Sequence, residues 1–159
     1  MTLQKLEILA KKVTTKPNWF YQGKEIKTLA DTPLEALGFI YKIYNLDNQM
    51  YYVGRRTIRS NRRRKLTVAE KKIKGNEKKT FITEMKESSG WKTYAGSNVT
   101  LKAEVTKGAR IRKEILHYCY SKAEITYKET AEILCSGALL DIKSYNSWVK
   151  ATIYKKHLM

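Results

Sequence analysis

The chain has 159 residues, a length that suits one domain with a single hydrophobic core. Its 32 Lys and Arg residues against 15 Asp and Glu residues leave a formal net charge of +17, well above the charge of about 2–8 that keeps a small domain soluble. No apolar run approaches the ~18 residues of a membrane span, and no signal peptide is evident, so we expect a soluble, cytoplasmic protein. The positive excess favours nucleic acid as the partner, because Lys and Arg neutralise phosphates and release their counterions. An anionic membrane is disfavoured, since no strongly amphipathic basic helix is visible.

The first 36 residues are predicted to form an N-terminal arm and not a second domain. Apolar residues among Lys and Glu predict a short amphipathic helix over residues 3–13. Residues 19–26 predict a small hairpin or extended segment around a turn at Gly23. Pro33 suits the first turn of a helix, with Glu35 at the positive end of that helix. Residues 37–159 would then form the main domain.

A clearer hairpin signal follows the arm. The β-rich runs 39–45 and 50–54 flank Asp47-Asn48, residue types that favour a tight turn. Because side chains alternate along a strand, residues 39, 41 and 43 share one face, and residues 50, 52 and 54 share one face. The sequence therefore predicts an aromatic-rich antiparallel hairpin.

Residues 55–79 are strongly basic, with twelve Lys or Arg residues against two Glu residues. Two interpretations stay open, a nucleic-acid contact and a solvated loop, since charges of one sign at this density repel unless something neutralises them. We favour the nucleic-acid contact, and we expect part of this basic insert to become ordered only when DNA is bound.

The second half of the chain predicts one more strand and two helices. A helix begins after Ser97, and a third strand covers residues 110–118. Ser121 and Glu124 form a capping box, which predicts a helix over residues 122–134. The predicted fold class is therefore α+β.

Glu129 is the most unusual residue of that last helix. It lies four residues from both Ile125 and Ile133 and so shares their apolar stripe. A carboxylate there is costly unless it is paired or holds a metal ion. The alternative is a position at the edge of the stripe, in contact with solvent or a lysine, and Glu132 is a competing carboxylate one turn away.

Other common sites are not visible. His117 and His157 are far apart in the sequence, and Cys119 and Cys135 lack the spacing of a zinc pair. No Ser-His-Asp arrangement and no phosphate-binding glycine loop is present. The residues alone therefore indicate a small, basic α+β protein that binds nucleic acid.

Two tripeptides of the hairpin resemble the signature of the GIY-YIG nuclease superfamily. Phe39-Ile40-Tyr41 stands where that family has Gly-Ile-Tyr, and Tyr52-Val53-Gly54 stands where it has Tyr-Ile-Gly. The two tyrosines are eleven positions apart, as in the family. Glu129 matches the family's metal-binding glutamate on the helix after the third strand, and Tyr145-Asn146 matches a later Tyr-Asn pair. Three further stretches resemble the phage-encoded branch related to free-standing, homing-type endonucleases: residues 19–26, 91–97 and 113–116.

The chain departs from the family pattern in two places. Phe39 replaces the glycine of the first tripeptide, although Gly38 precedes it. Many members carry an arginine about ten residues after the second tyrosine, often with a histidine one turn later, whereas residues 62–64 here are all arginine with no histidine. For the catalytic arginine we rank Arg56, just after the second tripeptide, ahead of Arg62.

The resemblance implies a divalent-metal-dependent DNA endonuclease. It also implies a compact GIY-YIG domain at residues 37–159, with a three-stranded antiparallel sheet flanked by helices. Mg²⁺, or Mn²⁺, would be held by Glu129 and act as a Lewis acid on the scissile phosphate. The expected catalytic residues are Tyr41, Tyr52, Arg56, Arg62, Glu129 and Asn146.

The resemblance also assigns roles to these residues. Tyr41 by preference, assisted by Tyr52, would take a proton from the attacking water. Arg56 or Arg62 would clamp the phosphate, and Asn146 would orient the glutamate or a metal-bound water. The expected DNA contacts are Arg55, Arg59, Arg63, Arg64, Lys65, Lys92, Tyr94 and Ser97.

Two other function classes remain as alternatives. One is a catalytically silent DNA- or RNA-binding module on the same fold, which the joint retention of the two tyrosines and Glu129 disfavours. The other is a ribosome-associated or nucleoprotein-packaging factor, which explains only the charge. We expect modest sequence specificity, supplied by the arm, the basic insert or a homodimer.

Overall fold

The computed structural model describes residues 17–149 and 151–158, and the helix predicted over residues 3–13 lies outside them. The strands of the described part are β1 (Trp19–Tyr21), β2 (Lys24–Ile26), β3 (Gly38–Asn45), β4 (Tyr51–Thr57), β5 (Arg59–Lys65), β6 (Phe81–Glu87) and β7 (Ile111–Cys119). Its α-helices are α1 (Val68–Lys71), α2 (Val99–Thr106) and α3 (Lys122–Cys135), and short 3₁₀ turns occur at Leu29–Asp31 and Lys155–His157. None of these helices is long and apolar enough to cross a membrane.

The main sheet has five strands in the order β2-β1-β7-β3-β4. Its antiparallel part, β7-β3-β4, is the predicted three-stranded sheet, and the α+β fold class is confirmed. Strand β1 adds to it in parallel, with Trp19 opposite Lys113, and β2 pairs with β1. The predicted hairpin at residues 19–26 is therefore confirmed, and it extends the sheet.

The β3–β4 hairpin is formed, with the predicted alternation of faces. Tyr41 lies opposite Gly54, and Tyr52 lies opposite Ile43. The β3–β7 pairing shifts between Ile40 and Tyr41, a bulge that locally changes the direction of the strand. Strand β3, from which Tyr41 projects, lies between β7 and β4.

The main sheet is packed on both faces. One face carries a buried aromatic cluster that includes Trp19, Phe39, Tyr41, Trp91 and Tyr118. The other face packs against α3 through Ile40, Val53, Ile125 and Ile133. Helix α3 begins as predicted, with the Ser121 hydroxyl accepting a hydrogen bond from the Glu124 backbone at 3.1 Å. The helix that begins after Ser97 is confirmed as α2, which Asn98 caps.

The basic insert is more regular than a solvated loop, the alternative interpretation of its charge. Strand β5 pairs with β6 to form a separate two-stranded sheet, here called the ribbon. Part of the charge is neutralised internally, because Arg64 donates to Glu84 at 2.7 Å and to Glu70 at 2.8 Å. These ion pairs offset the repulsion that favoured a loop.

The prediction of a helix that begins near Pro33 is wrong. The Asp31 carboxylate accepts hydrogen bonds from the backbones of Lys27 and Thr28, at 3.0 and 2.7 Å. This capping arrangement supports only the short 3₁₀ turn, and the segment continues as a turn in which the Ala36 backbone donates to Pro33.

Candidate active site

The two tyrosines of the hairpin lie side by side, with ring centroids 6.2 Å apart. Gly54 makes this approach feasible. A Cβ atom at that position would lie 2.5 Å from the Tyr41 hydroxyl oxygen and 2.9 Å from Cε1 of Tyr52. The glycine of the second tripeptide is therefore required by the packing of both rings.

In the first tripeptide region, the residue that must be a glycine is Gly38. A Cβ atom there would lie 2.5 Å from the carbonyl oxygen of Arg56 and 2.9 Å from Cδ1 of Ile125. Phe39 fills the core instead, packed edge-on against Trp19 at 4.9 Å between ring centroids. The departure from the family pattern is thus absorbed by a glycine one residue earlier.

The two tyrosine hydroxyls have different access. Tyr41 is completely buried, and its hydroxyl has no hydrogen-bond partner within the described part of the chain. Burial raises the pKa of Tyr41 well above its ordinary value. The Tyr52 hydroxyl is hydrogen-bonded to Ser97 Oγ at 2.7 Å; burial also raises the pKa of Tyr52, and the Ser97 bond opposes that shift. Only Tyr52 lines the neighbouring cleft.

Glu129 projects from α3 toward β4. Its side chain is 21% exposed, and Oε2 lies 3.2 Å from Nε of Arg55. Burial raises the pKa of the Glu129 carboxyl, while the Arg55 charge acts in the opposite direction. Arg55 is itself held by a 2.7 Å hydrogen bond to Thr126 Oγ1, one turn earlier on α3. Glu132 contacts His117 at 3.4 Å and does not line the cleft.

These groups border a cleft of about 570 Å³, here called the glutamate cleft. Of the predicted site residues it is lined by Tyr52, Arg55, Ser97, Glu129 and Asn146. Trp148, 70% exposed, also lines it. The sequence offered no signal for Trp148 beyond a lone aromatic residue after the Tyr-Asn pair.

Asn146 lines the glutamate cleft, and its side chain is bonded to the backbone of β4. Its Oδ1 accepts from the Val53 backbone at 2.9 Å, and its Nδ2 donates to the Val53 carbonyl at 2.8 Å. The side-chain amide thus takes the place of a further strand at the open edge of β4. Asn146 positions the strand that carries Tyr52 and Arg55, and its amide contacts Val53 and not Glu129.

A second cleft of about 360 Å³ adjoins the first, and we call it the arginine cleft. Arg55 lines both clefts, and no carboxylate lines the arginine cleft in the described residues. Arg56 donates to the Ser89 carbonyl at 2.9 Å, and its guanidinium lies 4.3 Å from the Tyr94 ring centre. The other lining residues are Thr57, Arg62, Ser88 and Ser89. The two candidate catalytic arginines, Arg56 and Arg62, therefore share this cleft.

The structure does not support a DNA contact by Arg59. Its side chain is 6% exposed, and its guanidinium donates to Ala36 and Pro33 carbonyls at 2.8 and 2.9 Å. Arg59 instead holds the turn that precedes β3.

The other predicted DNA contacts fall into two groups. Arg64 and Tyr94 are half-buried, and Arg64 is engaged by two carboxylates. The other five are exposed, of which Arg55 pairs with Glu129 at 3.2 Å and Lys92 with Glu87 at 3.4 Å: Arg55, Arg63, Lys65, Lys92 and Ser97.

A family model described as "Putative endonuclease segE, GIY-YIG domain" matches residues 19–149. The chain belongs to this GIY-YIG family. The match runs from the first residue of β1 to just beyond Asn146, so it includes the main sheet, the ribbon and both clefts. No curated protein and no solved structure matches the chain. Membership in the GIY-YIG family supports nuclease activity in general and implies DNA as the substrate.

Proposed function

We propose that this GIY-YIG chain is a divalent-metal-dependent DNA endonuclease that hydrolyses phosphodiester bonds in the glutamate cleft. The observation that carries the proposal is Glu129, a mostly buried carboxylate in a cleft that also exposes Tyr52 and Arg55. A carboxylate repels phosphate, and burial makes its charged form costly. Such a group in a cleft beside an arginine is favoured by chemistry and not by simple DNA binding.

The donor set fits a hard divalent cation. Glu129 supplies one carboxylate, beside the hydroxyls of Tyr52 and Ser97, and the described residues hold no cluster of three or more His, Cys, Asp or Glu. Mg²⁺ commonly keeps several waters and binds one or two carboxylates, and Mn²⁺ accepts the same oxygen ligands. Held by Glu129, the ion would supply Lewis-acid chemistry at the scissile phosphate.

Tyr52 is the tyrosine that can meet a water in the cleft. Its hydroxyl is oriented by Ser97, whereas the Tyr41 hydroxyl is enclosed. A tyrosine with a raised pKa is a poor base at neutral pH, so proton uptake by Tyr52 needs nearby positive charge, which Arg55 contributes. We therefore assign Tyr52 the contact with the attacking water. Tyr41, the residue first expected in that role, is assigned a positioning role beneath it.

The arginines divide between the two clefts. Arg55 pairs with Glu129, so its guanidinium lies beside the expected position of the scissile phosphate. Arg56 and Arg62 line the arginine cleft, which no described carboxylate neutralises, and we assign them the phosphates next to the scissile one.

One observation favours a second function. The ion pair between Arg55 and Glu129 neutralises the carboxylate without any metal ion. A catalytically silent DNA-binding module on the same fold is consistent with that pair.

Cleavage of supercoiled plasmid separates the two functions. We expect nicked or linear product with Mg²⁺, and none with EDTA or with Glu129→Ala. Glu132→Ala is the matched control, because it removes a carboxylate from the same helix outside the cleft. If the wild-type protein only shifts the plasmid in a gel with either Mg²⁺ or Mn²⁺, or if Glu129→Ala cleaves like Glu132→Ala, the endonuclease proposal is wrong.

A further inference from the structure

The ribbon has two faces of different character. In an antiparallel pair, residues directly opposite each other share a face. The side chains that share one face beyond its base, here the outer face, are those of Asn61, Arg63, Lys65, Phe81, Thr83 and Met85. Two contacts agree with this assignment: the Arg63 guanidinium lies 4.2 Å from the Phe81 ring centre, and Arg64 pairs with Glu84 across the opposite face.

Every residue of the outer face is exposed. It combines two cations with an amide, a hydroxyl and two large apolar side chains, Phe81 at 38% and Met85 at 52% exposure. An exposed apolar pair on a strongly charged element is typical of a contact surface.

The carboxylates of the ribbon are all held elsewhere. Glu84 lies on the opposite face and pairs with Arg64. Glu87, at the base of the ribbon, accepts a 2.7 Å hydrogen bond from the Trp91 indole. Among the described residues, the outer face therefore carries positive charge without a neutralising carboxylate, and this charge is complementary to a polyanion.

We propose that the outer face of the ribbon enters the major groove of duplex DNA and reads base edges there. The major groove, about 12 Å wide, admits a two-stranded β-ribbon without deformation of the duplex, and each base pair presents a distinct pattern of donors and acceptors there. The ribbon begins two residues after β4, and Arg62 on its other face lines the arginine cleft, so DNA held at the clefts lies beside the base of the ribbon. The choice of DNA as the ligand of the outer face rests on the proposed function.

The outer face offers the groups that discriminate bases. Arginine pairs with O6 and N7 of guanine, asparagine pairs with adenine, and apolar side chains contact the thymine methyl group. Stacking on Phe81 holds the Arg63 guanidinium by its face and leaves its N–H donors available. Outer-face residues on one strand are spaced about 7 Å apart, close to two base-pair steps, so three rows cover a short site of about 4–6 base pairs.

Selection of binding sites from randomised duplexes tests this inference. It is performed in EDTA with the full chain, so that no cleavage occurs. We expect the wild-type protein to enrich a short motif and Arg63→Ala to lose about 10- to 100-fold discrimination at one base position. Lys86→Ala is the matched control, since it removes one exposed cation from the other face of the ribbon; it should keep the motif.

Two probes identify the groove. Replacement of guanine by 7-deazaguanine, which removes the N7 acceptor, should weaken wild-type binding and leave Arg63→Ala unaffected. A minor-groove ligand such as distamycin should not compete. If Arg63→Ala and Lys86→Ala select the same motif, or if distamycin displaces the protein, the major-groove assignment is wrong.

The same experiments separate this inference from the proposed function. Selective binding without cleavage under Mg²⁺ contradicts the nuclease proposal only. Plasmid cleavage combined with an unchanged motif in Arg63→Ala contradicts the ribbon proposal only. If Met85→Ser abolishes self-association in sedimentation experiments and leaves the motif unchanged, the outer face is an interface between two copies of the chain, and DNA reading by this face is wrong.

Discussion

At the scale of single residues, the tyrosine pair gives the sharpest prediction. Tyr52→Phe removes the hydroxyl that meets the glutamate cleft, so we expect single-turnover plasmid cleavage to slow by about 10²–10⁴-fold. Tyr41→Phe removes a buried hydroxyl with no partner in the described residues, so it should raise the free energy of unfolding by about 1–3 kcal/mol. Its cleavage rate should change by less than about tenfold. The opposite pattern, with cleavage lost only in Tyr41→Phe, would assign the water contact to the buried ring.

The Glu129 carboxyl gives a prediction for stability against pH. Burial raises its folded-state pKa above the unfolded value of about 4.5, so the protonated form favours folding. That contribution is complete below the unfolded pKa and is lost as pH rises through the folded pKa. Glu129→Gln, which stays neutral, should therefore have a higher Tm than wild type at neutral pH and the same Tm near pH 4.

Thermal unfolding at both pH values, without divalent ions, measures this effect. Glu132→Gln is the control, since that carboxyl pairs with His117 outside the cleft. A lower Tm for Glu129→Gln at neutral pH would mean that the ion pair with Arg55 outweighs the cost of burial.

At the scale of elements, Arg59 separates a structural arginine from a DNA contact. Arg59→Ala leaves the carbonyls of Pro33 and Ala36 without their charged donor, so we expect the free energy of unfolding to fall by about 2–3 kcal/mol. Arg63→Ala, an exposed position four residues along the same strand, should change it by less than about 0.5 kcal/mol. Urea unfolding measures both values, and equal stability of the two variants would contradict the structural role of Arg59.

Elements with strong local patterns could be predicted from the sequence, and those formed by distant pairing could not. The β3–β4 hairpin has a two-residue period around a turn, and α3 has a capping box. Strand β5 reads Arg-Ser-Asn-Arg-Arg-Arg-Lys, which shows no apolar alternation. Its strand conformation depends on pairing with β6, whose first residue lies 16 positions after the end of β5.

Prediction of the candidate active site from the sequence has the same limit. Resemblance to the GIY-YIG family led to Tyr52 and Glu129, which the structure brings to one cleft. The family pattern did not show which arginine contacts the glutamate, because Arg55 and Arg56 are adjacent and alternate across β4. Lys113 is completely buried and donates to the Lys92 and Tyr94 carbonyls at 2.7 and 3.2 Å, a contact that no local pattern signals.

At the scale of the whole molecule, only some of the cations that give the net charge of +17 are available to DNA. Arg59 donates to backbone carbonyls and Arg64 to carboxylates of the protein itself. Arg110 pairs with Asp47 at 2.7 Å, near the turn between β3 and β4. The cleft cations Arg55 and Arg56 lie near the other end of β3, and the ribbon that carries the outer face begins two residues after β4. DNA binding should therefore depend on a few cations and not on the total charge.

The salt dependence of DNA binding measures how many of those cations contact phosphates. If Arg63 reads a base, the cations assigned to phosphates are Arg55, Arg56, Arg62 and Lys65. Each phosphate neutralised contributes about −0.9 to the slope of log K against log salt, so four contacts give a slope of about −3.6. Arg62→Ala should reduce the magnitude of this slope by about one unit. Arg110→Ala removes the same charge at the far end of β3 and should leave the slope unchanged.

Fluorescence anisotropy titrations in EDTA at several salt concentrations measure the three slopes. A wild-type slope near −10, or an equal decrease in both variants, would mean that the whole basic surface contacts DNA and that the two clefts do not define its path.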